Sequence, residues 1–178
     1  MKLNAKELRE LDETEIQEKL KHIIRRPIYF ILENIYDTYN IGGLFRLADA
    51  LSIEKMYLCG QTEIPPNAKI KKASIGTYKV VPWAYKKTAQ EAIEELRKQS
   101  PLSIIAVEQD LRSVPYTKVE YVEPLAMIVG NETYGVLPET LNLVDKIVEI
   151  PMWGINKSLN VIVSAAIVSY HIVTLSSG

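Results

Sequence analysis

The chain has 178 residues, 47% of them hydrophobic and 24% charged. That is ordinary globular composition, enough for one domain that buries roughly 70% of its extended surface, and it excludes disorder, collagen and coiled-coil rods. A single cysteine, Cys59, excludes an internal disulfide and a cysteine-rich zinc site, and points to a reducing, cytoplasmic setting. The first 21 residues are charged throughout and lack the apolar stretch of a signal peptide. The most apolar run, Leu159 to Leu175, is interrupted by Asn160, Ser164, Ser169 and His171, so it reads as a buried helix and not a membrane span. Net charge is −1, unlike the strongly basic balance of many nucleic-acid binders. The distribution is uneven, however. Pro65 to Gln90 holds six lysines and no acid, which focuses a positive field on one face.

Residues 1–26 read as one charged helical extension with a partial apolar stripe of Leu3, Leu8, Leu11, Ile16 and Leu20, stopped by Pro27. The stripe fits a solvated helix docked on the domain edge, or one that contacts a substrate or a second subunit. Residues 27–178 then alternate short apolar runs with helical stretches. Ile28–Leu32, Met56–Cys59, Tyr78–Val81, Ser103–Val107, Leu125–Val129 and Lys146–Ile150 read as strands. Gly43–Leu51 is periodic as a helix. Thr88 caps another that runs to Gln99, with Glu91 three residues on, and Pro138 opens a short one. A last helix runs from Ser158 to about Leu175, ended by Ser176-Ser177-Gly178. This alternation predicts an α/β fold, a mostly parallel sheet covered by helices on both faces.

No glycine fingerprint for a dinucleotide and no P-loop is present, and two histidines, His22 and His171, give a metal site or a Ser–His–Asp triad little to work with. His171 and Cys59 read as packing residues. Ligands of such sheets bind beyond the carboxyl ends of the strands, and three strand ends carry unusual residues. The first runs Glu33 to Gly43 and leads into a helix with Arg46 and Asp49. Asn40 is a candidate N-cap there, and Gly42 and Gly43 allow a ligand to approach the backbone closely. The second is Gly130-Asn131-Glu132-Thr133-Tyr134-Gly135, directly after an apolar strand. The third runs from Ile150 to Val161, where Asn160 stands in the first turn of an otherwise apolar helix and needs a polar partner. Each loop is equally readable as a capped turn without a ligand.

In this order, the three loops resemble the three motifs of the SpoU/TrmH family of RNA 2′-O-ribose methyltransferases. Asn40-Ile41-Gly42-Gly43-Leu44-Phe45-Arg46 is similar to the first, Gly130 to Gly135 to the second, and Ile150-Pro151-Met152-Trp153-Gly154 through Ser158-Leu159-Asn160-Val161 to the third. The resemblance implies a SPOUT α/β fold with a C-terminal trefoil knot, a homodimer, and S-adenosylmethionine as cofactor with no metal. It implies that Val107, Gly130, Ile150 and Leu159 contact the cofactor. It implies catalytic roles for Asn40, Arg46, Glu132, Ser158 and Asn160, with Arg46 acting on the ribose 2′-hydroxyl. The stretch Val107-Glu108-Gln109-Asp110, with the first motif, is most similar to members that methylate guanosine in the tRNA D-loop. Lys69, Lys71, Lys72 and Lys79, interleaved with Tyr78, Trp83 and Tyr85, suit RNA phosphate contact and base stacking. The competing readings are the same chemistry on rRNA, a non-catalytic RNA-binding module of the same fold, and an unrelated nucleotide-binding α/β protein.

Overall fold

The structure, a computed structural model, describes residues 2–175. The proposed end of the last helix at Ser176-Ser177-Gly178 lies outside the described residues. Seven parallel strands form one sheet: β1 (Arg26–Glu33), β2 (Ile53–Cys59), β3 (Trp83–Lys86), β4 (Ser103–Val107), β5 (Val114–Pro115), β6 (Leu125–Val129) and β7 (Lys146–Glu149). Their spatial order is β3-β2-β1-β6-β4-β7-β5. Seven α-helices accompany them among the described residues: α1 (Ala5–Glu10), α2 (Glu13–Leu20), α3 (Thr38–Ala50), α4 (Ala68–Ala73), α5 (Ala89–Gln99), α6 (Pro138–Leu141) and α7 (Val161–Leu175).

The two-residue period of a strand sends alternate side chains to opposite faces, and the central strands are apolar on both. Leu125, Met127 and Val129 of β6 pack with Ile105, Phe30 and Leu32 under α3 and α7. Ala126 and Ile128 turn the other way, with Ile31, Tyr57 and Ile104, under α5 and Leu141 of α6. Burying apolar runs on both faces requires two helix layers, as the alternation predicts. Cys59 is fully buried in the second layer, and burial pushes its thiol up to about 12, so it is a packing residue.

Four expectations are corrected. The N-terminal segment forms two helices, not one. Asn4 with Glu7 and Asp12 with Glu15 each build a complete capping box, and the second restarts the chain after Leu11 leaves helical backbone. The apolar stripe still docks: Leu8 and Ile16 bury against Val80, with Leu3, Leu11 and Leu20 around them. Pro27 does not precede the strand but sits inside β1, at its second residue, where a missing N–H is tolerated and the pairing with β2 is irregular. Tyr78–Val81 is not a strand. Gly76, at φ +98°, turns the chain into a short 3₁₀ segment over Thr77–Lys79, and the strand follows at Trp83. The helix read from Gly43 begins earlier, because Asp37, not Asn40, caps it by accepting from Tyr39 N at 2.8 Å.

Candidate active site

The strand ends after Val107, Val129 and Glu149 belong to neighbouring strands β4, β6 and β7, and the loops beyond them enclose a cavity of about 600 Å³. Val107, Gly130, Ile150 and Leu159, which the family resemblance singles out together, all line it, as do Glu132, Ser158 and Asn160. Its charged lining is Glu108, Glu132 and Glu149 against Lys157, an arrangement that suits a cation better than a phosphate.

Backbone crowding shapes this cavity. A Cβ on Gly130 would stand 2.2 Å from the Gly135 carbonyl carbon and the Val136 nitrogen, so only glycine fits. Gly135 takes φ +71°, which glycine adopts without strain. Asn131 closes the loop: its Oδ1 accepts from Thr133 N at 2.8 Å and Tyr134 N at 2.9 Å, and its Nδ2 donates to Asn34 O at 2.8 Å. The Glu108 carboxylate accepts from Val136 N at 2.9 Å and ties the β4 and β6 loops together.

A chain of side-chain hydrogen bonds joins all three loops. Asn160 Nδ2 donates to Asn40 Oδ1 at 2.9 Å, and Asn40 Nδ2 donates to Glu132 Oε1 at 2.7 Å. Asn160 Oδ1 accepts from Ile162 N at 2.8 Å and caps α7, which is why the helix starts at Val161 and not at Ser158. Asn160 is itself exposed, contrary to the expected buried amide, whereas Asn40 is only 5% exposed. The buried partner therefore demands the bond. Ser158 lines the cavity with its backbone N–H directed to Asn156 Oδ1 at 3.4 Å.

Arg46 does not line the cavity. It is exposed, and its guanidinium forms no hydrogen bond or ion pair among the described residues. Gly42 and Gly43 serve helix packing and not a ligand: a Cβ on Gly42 would lie 2.4 Å from Ala73 Cβ of α4, and one on Gly43 would lie 2.3 Å from Ile162 Cδ1 of α7. Arg46, three and four residues on, continues that face of α3. Lys69, Lys71 and Lys72 are exposed on α4. Lys79 is engaged internally, its Nζ donating to Arg9 O and Leu11 O at 3.1 Å each, so it pins the N-terminal helices. Tyr78 and Trp83 pack on the core, leaving Tyr85 as the exposed aromatic of that stretch.

One supporting residue escapes a motif-based reading. Glu33, at the end of β1 and 3% exposed, accepts from Leu137 N at 2.8 Å and from Thr140 Oγ1 at 2.6 Å. Burial raises its carboxyl above the usual range. The only signal in the sequence is a carboxylate ending an apolar strand.

A family model described as the SpoU rRNA Methylase family matches residues 27–170. The chain belongs to this family. Among curated proteins it is similar to the tRNA (guanosine(18)-2′-O)-methyltransferase of Aquifex aeolicus, 29% identical over 155 residues that cover 83% of this chain and 69% of that one. It is similar also to the 23S rRNA (guanosine-2′-O-)-methyltransferase RlmB of Neisseria meningitidis, 29% identical over 153 residues, 86% of this chain and 60% of that one. The A. aeolicus TrmH/SpoU tRNA modifying enzyme superposes with a TM-score of 0.79 at 24% identity, over 91% of this chain and 84% of that one. The SpoU methyltransferase AviRb of Streptomyces viridochromogenes, solved in complex with the cofactor AdoMet, gives 0.78 at 24%, over 89% and 62%. The SpoU family fold is thereby established, a parallel sheet between two helix layers.

Proposed function

We propose that this SpoU-family chain transfers a methyl group from S-adenosylmethionine to a ribose 2′-hydroxyl of RNA, with tRNA as the first substrate class and a guanosine as its target. The observation that carries the reading is the hydrogen-bonded chain Asn160–Asn40–Glu132, which locks the three loops around one cavity. The cavity fits the cofactor in size and charge. Ligand sites of this kind run to about 300–1,000 Å³, and three carboxylates face one lysine where a sulfonium and an ammonium would sit. Gly130, Ile150 and Leu159 would hold it through backbone groups, with the loop after Val107 closing one side. When bound, it supplies an electrophilic methyl.

The chain's own residues then position and polarise. Glu132 and Asn160 are fixed by Asn40 and, with Ser158, orient the nucleotide. Arg46 offers a fork of guanidinium N–H donors and no acceptor, so it acts as a cationic donor and not as a base. It stabilises the negative charge that develops on the ribose oxygen. Most of the acceleration comes from alignment, which supplies several kcal/mol when two reactants are held in line.

Arg46 stands outside its own chain's cavity lining, which supports a homodimer in which α3 and α7 of two copies meet. The outer face of α7 supports it too: Val163 and Tyr170, seven residues apart, are 46% and 49% exposed on a helix without a formal charge. We further propose the trefoil knot in the C-terminal half, supported by the order of strands β6, β4, β7 and β5 and by the stacked loops that end them. The exposed lysines of α4 would carry RNA phosphate. The free, buried thiol of Cys59 accords with a cytoplasmic enzyme, and no helix among the described residues is long and apolar enough to cross a membrane.

The second reading, rRNA as substrate, has the N. meningitidis relative in its favour. We take residues 1–26, which precede the matched region, as a charged extension to a methyltransferase domain of 27–178; α1 and α2 support this, although Arg26 already belongs to β1. Calorimetric titration separates this function from a phosphate-binding one. Saturable binding of S-adenosylhomocysteine and none of ATP is expected; the reverse overturns the proposal.

A further inference from the structure

Trp153 is 92% exposed, an unusual position for a tryptophan. It stands in the third motif between Met152 and Asn156, both of which line the cavity. Two more exposed aromatics come from the other two motif regions, and of these Tyr134 lines the cavity. Tyr134, 77% exposed, lies two residues from Glu132 in the tight Asn131–Gly135 loop, and Tyr39, 59% exposed, precedes Asn40. Each sits beside a residue of the hydrogen-bonded chain or the cavity wall. The protein's other tryptophan, Trp83, packs against the core.

The loop carrying Trp153 is tethered at its C-terminal end, at Lys157. Gln109 Nε2 donates to Lys157 O and fastens it to the loop after β4. The carboxylates Glu108, Glu132 and Glu149 make the cavity unfavourable for a phosphate. A nucleotide at this mouth would therefore present its base to the wall and its phosphates to the outside. An indole plane offers what a base needs, and bases stack on aromatic side chains without regard to sequence. A base inside a duplex is already covered on both faces, whereas an unpaired one has a face to give.

We propose that Trp153 is a stacking platform for an unpaired base next to the target ribose, so that the RNA accepted at this site is single-stranded at the point of reaction. The inference rests on the methyltransferase reading and adds a specificity residue to it. A lost stack weakens binding by roughly 5- to 150-fold.

The test uses the Trp83→Phe variant, in which Trp153 is the only indole. Its emission is recorded while unmodified tRNA, a duplex of matched length, or S-adenosylhomocysteine is added. Quenching by tRNA, and by neither of the others, is expected. In steady-state assays Trp153→Ala should raise KM for tRNA about tenfold, with the larger part of the effect in KM and not kcat, and Trp153→Tyr should recover most of it. Emission that is already blue-shifted and indifferent to tRNA would place the indole against a second copy of the chain and overturn the proposal. So would an unchanged KM in Trp153→Ala. The fluorescence readout requires no turnover, so it decides the stacking claim separately from the methyl-transfer claim.

Discussion

Asn40, Glu132 and Asn160 come from positions 92 and 120 residues apart along the chain, yet two hydrogen bonds make them one unit. Residues that share such a unit lose their effects together. Asn40→Ala and Glu132→Ala should each lower kcat/KM by about 10²-fold, and the double variant should be little worse than either. The coupling energy from the cycle should approach about 2.7 kcal/mol, the equivalent of one 10²-fold loss; strictly additive losses would mean that the pair acts independently. Arg46→Ala should reduce transfer by at least about 10²-fold, the scale of a lost charge stabiliser. It should leave the affinity for S-adenosylhomocysteine intact, since Arg46 does not line the cavity. At this scale the motif residues were legible because their types and order are unusual. Their geometry was not: Asn40 looked like a cap by its position before the glycines. Asp37 takes that task three residues earlier, which frees the Asn40 amide for its long-range partners.

Strand and helix identities followed largely from local chemistry. Ser103–Val107 and Leu125–Val129 are found where their apolar, β-branched runs place them. Thr88 caps α5 as expected, although Glu91 closes back on Lys87 N and not on the cap residue. The failures have tertiary causes. Tyr78–Val81 has strand composition, but Gly76 and the docked α1 claim its backbone: a Cβ on Gly76 would lie 3.2 Å from Leu8 O. The roles of Gly42 and Gly43 are likewise invisible without α4 and α7. Gly42→Ala should cost about 1–3 kcal/mol in thermal or urea unfolding, the range for overpacking, because the colliding atoms include α4 backbone. Gly43→Ala should cost less, because a flexible Ile162 methyl can yield. Equal costs would contradict this packing.

Glu33 joins β1 to the start of α6 from a buried position, and its raised carboxyl, caused first by burial, sets a pH dependence. A folded-state value above the unfolded one means that the native state binds more protons over the interval between them. The resulting stability is fully present below the usual carboxylate value of about 4.3 and is lost as pH rises through the folded value. Wild type should therefore lose stability relative to Glu33→Gln as pH climbs from about 4 towards neutrality, read by urea unfolding at several pH values. A wild type that gains on the variant over that interval would show that the bonds from Leu137 N and Thr140 Oγ1 outweigh desolvation.

For the molecule as a whole, three parallel strands end in one cavity, and a sheet covered on both faces gives those ends a rigid base. Composition and alternation foretold that layering. They contain nothing about the spatial order of the strands, since β6 enters between β1 and β4 although β4 is made first. Nor do they tell which apolar helix face is left outside. Val163 and Tyr170 are that face of α7, and a charge there should split the proposed dimer. Val163→Glu is expected to sediment as a monomer with lowered methyl transfer; an unchanged dimer would move the interface elsewhere. The most direct measurement is transfer of labelled methyl from S-adenosylmethionine to unmodified tRNA and, separately, to rRNA, with nucleoside mass spectrometry of the products. A 2′-O-methylated nucleoside, formed by wild type and absent with Arg46→Ala, is the expected result. A methyl group found on a base, or no transfer to either RNA together with no binding of S-adenosylhomocysteine, would contradict it.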